Sequence, residues 1–425
     1  MSASKAIAII GGGAAGFFAA ISAAQLARQK GLSVDIRIFE SSGQVLKKVR
    51  ISGGGRCNVT HNCFDVKTFC QNYPRGSREL LSPMLRFQAS DTVDWFKDAG
   101  VQLVAEADGR MFPDTNSSET IIDCFLNLIE KFHIKLMLKS PVKAIEVVSP
   151  GRLKLKMGDK ESFTADAVLV ATGSTPAGYR LAESLGHTIT ERAPSLFSFI
   201  INDLLISELT GLSFVDASLT LTFPALPGKK VFKQQGPVLI THWGLSGPAI
   251  LKLSAWAARE MKLADYNGIL TVNWMGVEKL NDVEKRLNVM KSENAKSYLK
   301  NVYPNILPKR FWLSLLDTCS IDHDKQWSRI SKKEIATIAQ ALVASQLKIT
   351  GQNRFKDEFV ECGGVALPEI DFKTLASKVC PGLYFAGEIL DVDGITGGFN
   401  FQNAWTTGWT AAQDMVLFNA KTTAT

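Results

Sequence analysis

Three glycines at a fixed spacing follow the first strand-like segment and constrain the fold more than any other feature of the chain. Residues 5–10 form a short apolar run that is typical of a buried parallel strand. Gly11, Gly13 and Gly16 occupy the glycine positions of a G-x-G-x-x-G turn, and residues 14–28 form an Ala-rich segment that predicts a helix. Gly11 permits the tight turn, Gly13 lets the backbone approach a pyrophosphate, and Gly16 lets the helix pack on the strand. The pattern predicts a dinucleotide-binding α/β fold.

An acidic residue closes this unit at the position where a dinucleotide site requires one. A second strand-like run, residues 33–39, ends at Glu40. Its carboxylate can accept both hydroxyls of an adenosine ribose and would repel a 2′-phosphate. Ala14 and Ala15, at the N-terminus of the predicted helix, and Ser41, beside the acid, complete the contacts predicted for this part of the site.

The uncharged run around these glycines leaves two other interpretations open. Residues 6–26 carry no charge, so the run could be a signal peptide or a membrane span, or the turn could be a glycine-rich loop without a ligand. Three consecutive glycines argue against a membrane helix, and no basic cluster precedes the run beyond Lys5. The succession of strand, turn, helix and acid favours the dinucleotide site.

The length and composition are those of a globular protein with two or three domains. The chain has 425 residues, of which 46% are hydrophobic and 21% charged, and its net charge of +7 permits a nucleic-acid partner without requiring one. Seven cysteines and the lack of a convincing signal peptide fit a reducing cytoplasm. Cys57, Cys63 and Cys70 with His61 match no standard ligand spacing, so we predict no metal site.

A second glycine-rich stretch, residues 52–60, follows the ribose acid. A backbone without side chains, flanked by the basic residues Lys48 and Arg56, suits a segment that lies against phosphates or a flat ring. Gly54 belongs to the bare backbone, and Asn58 could bond the edge of a heterocycle. The alternative is a mobile surface loop.

Further predicted contacts come from the middle of the chain. A strand at Val142 would pass beside the adenine, where the backbone groups of Val142 could bond the base. Residues 166–171 form another buried strand, which breaks into Ala171, Thr172 and Gly173. An Ala-Thr-Gly break after a strand resembles the second signature of flavin-binding Rossmann proteins, although alone it could be an ordinary strand-to-turn junction.

The C-terminal stretch carries the third group of predicted contacts. Residues 382–388 read as a strand that ends in Gly387 and Glu388, and the Glu388 carboxylate is placed to accept a ribityl hydroxyl. The helix that follows has an N-terminus rich in Gly and amide side chains, whose N–H groups and dipole would stabilise negative charge on a reduced flavin. The other predicted contacts here are Asp393, Thr396, Gly398, Phe399, Asn400 and Phe401.

The composition predicts that other domains interrupt the nucleotide-binding one. We expect residues 1–193 and 356–425 to form a Rossmann-like FAD-binding domain. Residues 194–276 and 343–355, rich in strand patterns and turn residues, are expected to form an inserted β-rich domain. Residues 277–342 are helical and mildly basic, which is most simply explained by a solvated helical domain.

These signatures, in this order, resemble those of FAD-binding flavoproteins with the two-dinucleotide fold. The run Ser-Gly-Gly-Gly-Arg-Cys-Asn at residues 52–58 and the long motif at 386–398 are similar to a bacterial family of NAD(P)/FAD-dependent oxidoreductases. That family includes aminoacetone-oxidase-like and BaiN-like flavoproteins, and the resemblance covers nearly the whole chain. It implies non-covalent FAD and an FAD domain split by a barrel and a helical domain, but it does not imply a substrate.

The nicotinamide in the family's description has less support. The sequence contains no second complete G-x-G-x-x-G unit, so NAD(P)H would have to dock transiently over the flavin. The sequence also departs from the family pattern at His61, where the family's loop usually continues with Asn. No role is therefore transferred to this position.

The candidates for catalytic residues are His242, Cys57 and Arg110. His242 lies at the end of a predicted strand in a Gly-rich turn, where it could act as an acid or base or simply be bonded within the inserted domain. Cys57 is also counted among the cofactor contacts. Beside Arg56 it is expected either to have a lowered pKa and be reactive or to be a small packing residue.

Three functions remain open at this point. The first is an FAD-dependent oxidoreductase that transfers a hydride through flavin N5 and acts on a small molecule, with NAD(P)H as a transient donor. The second is a flavin-dependent RNA-modifying enzyme, although nothing in the sequence clusters basic residues enough to favour a nucleic-acid partner. The third is a non-catalytic flavin-binding redox sensor. We expect a cytoplasmic protein with no membrane partner, and the sequence does not specify its oligomeric state.

Overall fold

The structure is a computed structural model that describes residues 4–158, 161–228, 230–353 and 360–418. Its strands in chain order are β1 Lys5–Ile10, β2 Val34–Phe39, β3 Thr60–His61, β4 Leu103–Ala105, β5 Arg110–Pro113, β6 Lys135–Met137, β7 Ala144–Ser149, β8 Arg152–Lys156, β9 Ser162–Ala165, β10 Ala167–Val170, β11 Ala193–Ser195, β12 Ser198–Ile201, β13 Ser213–Thr222, β14 Val231–Thr241, β15 Gly244–Ser246, β16 Gly268–Asn273, β17 Ser345–Asn353, β18 Val360–Cys362, β19 Ile370–Asp371, β20 Ala376–Ser377 and β21 Leu383–Phe385.

The helices in chain order are α1 Ala14–Lys30, α2 Lys47–Gly55, α3 Val66–Cys70, α4 Leu81–Met84, α5 Ala89–Asp98, α6 Ser118–Lys131, α7 Pro176–Ser184, α8 Pro248–Trp256, α9 Ala258–Leu263, α10 Leu280–Glu293, α11 Lys309–Thr318, α12 Lys332–Ala344 and α13 Phe399–Leu417. Short 3₁₀ turns span Trp327–Arg329, Leu367–Glu369 and Gly387–Ile389. The chain divides into two compact units, Met1–Arg192 with Val360–Thr425, and Ala193–Phe359.

The first unit is built on a sheet with a parallel centre. Among the described residues its strands lie in the order β19-β20-β21-β10-β1-β2-β6, and the five from β21 to β6 run parallel. The apolar runs of β1 and β10 are buried, as expected for central parallel strands covered on both faces. Two smaller antiparallel sheets, β3-β5-β4 and β7-β8-β9, belong to the same unit. The parallel order places the carboxyl ends of β1, β2, β10 and β21 along one edge.

Helix α1 follows β1 directly and is buried along most of its length. Small residues let it lie close to α13, because a Cβ on Gly408 of α13 would come within 2.8 Å of the Ala15 carbonyl oxygen. The helix ends at Gly31, whose φ of 64° is left-handed and whose N–H reaches back to the carbonyls of Ala27 and Arg28. The strand, turn and helix predicted from residues 5–28 are therefore present as one compact piece.

The second unit contains a closed barrel with strand order β12-β15-β14-β13-β16-β17. Barrel residues and helical residues share one hydrophobic core: Phe214 of β13 and Trp274, just after β16, both contact Phe311 of α11, with ring centroids 4.8 Å apart in each case. The division of this unit into a barrel domain and a helical domain stays a prediction. The predicted return to the first domain at residue 356 lies outside the described residues.

Membrane insertion was one alternative for the uncharged N-terminal run. Over the described parts of the chain, none of the helices combines the length and the apolar character that crossing a bilayer requires.

Candidate functional site

The predicted motifs meet at the carboxyl edge of the parallel sheet. Neighbouring strands β1, β10 and β21 end in register, because Ile10 pairs with Val170 and Val170 pairs with Phe385. Each strand runs directly into a predicted motif: the first glycine turn, the Ala171–Thr172–Gly173 break, and the Gly387–Glu388 pair. Ligands of open α/β sheets bind at this edge. The candidate site is therefore here, within the first unit.

The first glycine turn has the geometry that its sequence predicts. Gly11 has a φ of +115°, and a Cβ there would come closer than 3.0 Å to the Ala171 carbonyl oxygen. A Cβ on Gly16 would collide with the carbonyl oxygen of Gly11, so this residue lets α1 approach the turn. A Cβ on Gly13, in contrast, would meet nothing within 4 Å. The backbone at Gly13 therefore borders open space, and α1 begins there without a side-chain cap, which suits an anion such as a pyrophosphate.

Glu40 is oriented by the backbone around it. Its Oε2 accepts a hydrogen bond from the N–H of Gly12 and its Oε1 accepts one from the N–H of Ser42, both at 2.8 Å. The hydroxyl of the exposed Ser41 donates to Oε1 at 3.3 Å. A carboxylate has about four acceptor positions, and three are used here, so one remains for a ribose hydroxyl and a second becomes available when the exposed Ser41 hydroxyl gives up its long bond.

A second carboxylate, that of Glu388, lies in the same unit beside a lysine. Lys48 Nζ contacts Glu388 Oε2 at 2.5 Å, and the Glu388 side chain is mostly buried. Gly173, with a φ of +62°, lies close by: a Cβ there would be 3.7 Å from the same oxygen. The structure thus brings together three residues that the sequence had assigned separately to the cofactor, with Ala171 buried and Thr172 half-buried in the adjoining turn.

The second glycine stretch is a helical turn that opens into a bare backbone. After Ile51, Gly53, Gly54 and Gly55 have φ values of +59°, +69° and +85°. Cβ atoms on Gly54 and Gly55 would meet nothing within 4 Å. The backbone is therefore uncovered here, as the prediction of a segment lying against phosphates or a ring requires.

Of the two alternatives for Cys57, the structure favours the packing residue over the reactive thiol. Its side chain is fully buried, and burial raises the pKa of the thiol to about 12, although a hydrogen bond with Ser52 acts in the opposite direction. The predicted lowering of the pKa is wrong. Burial outweighs the adjacency to Arg56 in the sequence, so the thiol is protonated and packed in the protein. The contact of Cys57 with the cofactor stays a prediction.

The two arginines near this loop share one carboxylate. Arg56 donates to Glu106 Oε1 at 2.7 Å and Arg110 donates to Glu106 Oε2 at 2.8 Å. Arg110 is also held by Asp108 at 2.7 Å, while the Arg56 guanidinium lies 4.0 Å from the ring centre of Phe112. These contacts fix both guanidinium groups at the half-exposed surface of the β4–β5 hairpin. A catalytic role for Arg110 stays a prediction.

The start of α13 is held by residues from the segment after the second glycine stretch. Its N-cap, Gly398, has a φ of +94°, and a Cβ there would collide with the carbonyl oxygen of Thr60. In the amide orientation that satisfies both partners, Asn58 donates to that same carbonyl and accepts from the N–H of Gly398, each at 3.0 Å. Thr60 Oγ1 donates to Gln402 Oε1 at 2.6 Å. Asn58 therefore organises the protein around the helix start.

The side chains of Asp393 and Asn400 are likewise used within the protein. Asp393 is fully buried, and both of its carboxylate oxygens accept hydrogen bonds from Arg75. Asn400 makes a reciprocal pair with Gly394, donating to its carbonyl at 2.9 Å and accepting from its N–H at 2.8 Å. The sequence had placed both residues against the cofactor; the structure gives their side chains the task of shaping the turn before α13.

Sequence reasoning missed the residues that complete this turn from a distance. Tyr73 donates from its hydroxyl to the carbonyl of Phe399 at 2.6 Å. The N–H of Ile395 donates to the carbonyl of Asn72 at 3.0 Å. Tyr73 and Arg75 belong to an irregular segment between α3 and α4. No local sequence signal connects it to the C-terminal motif.

The other predicted site residues have less definite surroundings. Thr396 is half-buried, and Phe401 stacks on Trp405 with ring centroids 5.5 Å apart. Val142 is buried but precedes β7, which begins at Ala144 and not at Val142 as predicted.

His242 lies in the second unit, in the turn between β14 and β15. Its side chain is exposed, and its ring contacts that of Trp243 edge to face, with centroids 4.2 Å apart. Its assignment as an acid or base stays a prediction.

This architecture, a Rossmann-like nucleotide-binding domain with an inserted barrel, defines the class of the protein. The chain belongs to the family described as HI0933-like protein Rossmann domain, whose profile matches residues 5–414. The resemblance to this flavoprotein family and the fold class, a Rossmann-like FAD-binding domain with an inserted barrel, are thereby confirmed.

Curated relatives align with nearly the whole chain. It is 30% identical over 418 residues to a ribosomal RNA dihydrouridine synthase of Haemophilus influenzae, covering 95% of this chain and 96% of the relative. It is 28% identical over 419 residues to a 3-dehydro-bile acid delta(4,6)-reductase of Clostridium scindens, covering 96% and 98%. Among solved structures, 3-ketosteroid delta1-dehydrogenase of Sterolibacterium denitrificans aligns with a TM-score of 0.47 and 12% identity, covering 97% of this chain and 100% of that one.

Proposed function

We propose that this protein binds FAD non-covalently at the carboxyl edge of the parallel sheet. The residues present suit the cofactor's parts. The open backbone at Gly13 and the uncapped start of α1 suit the pyrophosphate, and the oriented carboxylate of Glu40 suits the adenosine ribose. Glu388 would accept a ribityl hydroxyl. The bare backbone at Gly54 would lie against the cofactor.

One observation carries this proposal: two uncapped helix N-termini, those of α1 and α13, belong to the unit whose motifs gather at one sheet edge. The first would hold the phosphates. The second would stabilise negative charge on the ring, because the N–H groups and dipole at a helix start favour anions. A bound flavin supplies hydride transfer through N5, and the protein supplies position, electrostatics and protons.

We further propose that the reaction is the reduction of a carbon–carbon double bond conjugated to a carbonyl group. The names of the relatives support this class. Making dihydrouridine from uridine saturates a double bond conjugated to a ring carbonyl, and a delta(4,6)-reductase of a 3-oxo bile acid saturates bonds conjugated to a ketone. In the reduction that we propose, a hydride adds to the carbon farther from the carbonyl and a proton adds to the nearer carbon. NAD(P)H is the proposed source of the electron pair.

An absorbance spectrum followed by anaerobic reduction tests the proposal. We expect flavin bands in the purified or FAD-reconstituted protein, bleached by NADPH or NADH and restored anaerobically by a conjugated acceptor. Suitable acceptors are 2-cyclohexen-1-one, a 3-oxo-Δ4 steroid and purified bacterial ribosomal RNA. A matched panel of the saturated ketones should not restore the bands.

The possible outcomes test the cofactor, the reaction class and the electron donor separately. A colourless protein that cannot be reconstituted with FAD would contradict the cofactor assignment. Flavin that is reduced by dithionite but reoxidised by none of the acceptors would contradict the reaction class and favour the redox-sensor alternative. Bands that bleach with dithionite but with neither NADH nor NADPH would contradict only the proposal that NAD(P)H is the electron donor.

RNA is the second candidate substrate, and the names of two relatives favour it. Both the Haemophilus influenzae relative and one from Escherichia coli carry the name ribosomal RNA dihydrouridine synthase. If uridine in RNA is the substrate, reoxidation by RNA should weaken as salt rises, because phosphate contacts release counterions. Reoxidation by 2-cyclohexen-1-one should not. Equal salt dependence for the two acceptors would argue against RNA.

A further inference from the structure

The outer wall of the barrel presents a polar surface on four adjacent strands. In the order β14-β13-β16-β17, each strand pairs antiparallel with the next. Side chains alternate between the two sides of a strand. Leu219, Leu270 and Leu347 lie in the core of the second unit, so the residues beside them in the sequence point outward. The outward residues of the four strands form one face.

The strand register aligns two complete rows of side chains across this face. In the first row, Thr220 lies opposite Lys233 on one side and opposite Thr271 on the other. Thr271 in turn lies opposite Gln346. The second row is formed in the same way by Val231, Thr222, Ile269 and Lys348. We refer to these eight residues as the barrel face.

Hydroxyl groups occupy the centre of the barrel face. Thr220, Thr222 and Thr271 belong to the two inner strands, β13 and β16, and each is half-buried. Gln346 adds an exposed amide at the edge of the first row. Hydroxyl and amide groups both donate and accept hydrogen bonds. The centre of the face therefore suits a partner that itself carries many hydroxyl groups.

The charges of the barrel face are positive only. Lys233 and Lys348 are exposed and lie on the two outer strands, β14 and β17. Three strand spacings of about 4.8 Å separate these strands, so the two lysines are roughly 15 Å apart. Along β13 the nearest carboxylate, that of Asp216, lies outside the two rows and accepts a hydrogen bond from Gln235 at 2.9 Å. Protein surfaces usually mix both signs of charge, so this face favours an anionic partner.

The charge of the whole second unit agrees with such a partner. Residues 193–359 contain 21 lysines and arginines and 15 aspartates and glutamates, which is a net charge of +6 out of +7 for the chain. The sequence shows no basic cluster in this unit, because Lys233 and Lys348 lie 115 positions apart. Only the closure of the barrel brings the two lysines onto one face.

Double-helical RNA is the anionic polymer that this chemistry fits. The minor groove of an A-form helix is wide and shallow, and it displays 2′-hydroxyl groups between the phosphates of two strands. Threonine hydroxyls can bond 2′-hydroxyls, while lysines on the two outer strands can reach phosphates on both sides of the groove. The two rows hold no aromatic side chain on which an unpaired base could stack, so the face suits single-stranded RNA less well.

We propose that the barrel face binds a double-helical segment of RNA across its minor groove. The inference rests on RNA as a candidate substrate in the proposed function, and it adds a binding surface in the second unit. Lys233 and Lys348 contact phosphates and supply affinity. The threonine hydroxyls contact 2′-hydroxyls and distinguish RNA from DNA.

Equilibrium binding to the full-length protein tests this surface without catalysis. Fluorescence anisotropy would compare a labelled RNA duplex of about 20 base pairs with a DNA duplex of the same sequence and with one RNA strand alone. We expect the RNA duplex to bind at least about tenfold more tightly than either of the others. No binding of the RNA duplex, equal affinity for the DNA duplex, or tighter binding of the single strand would overturn the proposal.

The lysines are tested by removing their charge. Lys233→Gln and Lys348→Gln should each weaken binding of the RNA duplex about fivefold to tenfold at about 0.1 M salt. Each should also reduce the slope of log affinity against log salt by about one unit. Lys285→Gln and Lys332→Gln are matched controls, because both lysines are exposed on helices of the same unit, and they should retain the wild-type affinity. Equal losses in the controls would mean that net charge alone attracts RNA, which would overturn the proposal.

The hydroxyls are tested by the double variant Thr220→Val with Thr271→Val, which changes the shape little. We expect it to weaken binding of the RNA duplex at least about threefold and to leave binding of the DNA duplex unchanged. An unchanged preference for RNA would overturn the proposal. Each variant should keep the wild-type rate of flavin reoxidation by 2-cyclohexen-1-one, which shows that it is folded. A wild type that no acceptor reoxidises would contradict the proposed reaction class, whereas RNA binding decides the role of the barrel face, so the two failures are distinguishable.

Discussion

The first glycine turn and the turn before α13 have related predicted tasks but are built in different ways. The first turn is made from one continuous piece of chain, in which Gly16 packs on Gly11 and Gly13 stays open. The turn before α13 depends on a segment more than 300 residues away, which supplies Tyr73 and Arg75. One turn is local and leaves its backbone bare, whereas the other is assembled by long-range contacts.

This difference explains what each turn can do. A local turn with an open backbone provides a fixed site for an anion. A turn built from two distant segments connects the helix start to the residues after the second glycine stretch, among them Thr60 and His61, so the same contacts place a titratable ring beside that helix. Substitutions in the two turns should therefore show which residues stabilise the fold and which contribute to FAD binding.

The largest effect is expected for Gly16→Val. Its Cβ would collide with the Gly11 carbonyl oxygen, and backbone at the centre of the sheet cannot yield, so we expect a loss of about 5 kcal/mol or more in the free energy of unfolding. Gly13→Ala is the matched control, because its Cβ meets nothing and its φ of −95° suits alanine.

Gly13→Ala should leave the FAD-free protein as stable as the wild type in urea unfolding but weaken FAD binding at least about tenfold by titration. If Gly13→Ala binds FAD normally, the start of α1 is not the pyrophosphate site.

The next largest effect is expected for Asp393→Asn in the other turn. The substitution keeps the shape but leaves the buried Arg75 guanidinium without its countercharge, which costs about 3–5 kcal/mol. The double variant Arg75→Met with Asp393→Leu should lose less than Asp393→Asn alone, because it removes both charges. Urea unfolding of the wild type, Arg75→Met, Asp393→Leu and the double variant completes a cycle that measures the coupling. Equal losses in the single and double variants would mean that the pair does not organise this turn.

The sequence predicts the local turn far better than the assembled one. Residues 5–40 contain every part of the first: the apolar strand, the three glycines, the small-residue helix and the acid at the end of the next strand. Hydrogen bonds within 28 residues, such as Gly12 to Glu40, hold it together. Such contacts follow from secondary structure and spacing, which a sequence displays directly.

The sequence indicates the turn before α13 but does not reveal the contacts that hold it. Its polar residues suggested ligands for the cofactor, yet Asp393 and Asn400 turn out to bond within the protein. Arg75 lies 318 positions from Asp393, in a segment without regular structure, so no periodic pattern reveals the pair. For Cys57, adjacency to Arg56 suggested a lowered thiol pKa, but burial, which adjacency does not reveal, raises it.

An intermediate effect is expected for Thr60→Val, which removes one hydroxyl from the buried contact between β3 and α13. The Oε1 of Gln402 would lose its donor inside the protein, which costs about 1–3 kcal/mol. Thr60→Ser keeps the hydroxyl and should lose less than half of that amount. Chemical unfolding compares the two variants. Equal losses would assign the effect to packing of the Thr60 methyl group.

The smallest effect is expected for Tyr73→Phe, which removes the hydrogen bond to the Phe399 carbonyl and keeps the ring contacts with Phe69 and Phe399. The expected loss is about 1 kcal/mol, the usual net contribution of one hydrogen bond. Burial raises the Tyr73 pKa well above its ordinary value, so the loss should be independent of pH from 6 to 9. Because the local glycine turn has no contact with this hydroxyl among those described, we expect the affinity for FAD to stay within about tenfold of the wild-type value. A variant in which FAD affinity falls more than tenfold would show that the two turns are not separable, and that the assembled turn supports the whole cofactor site.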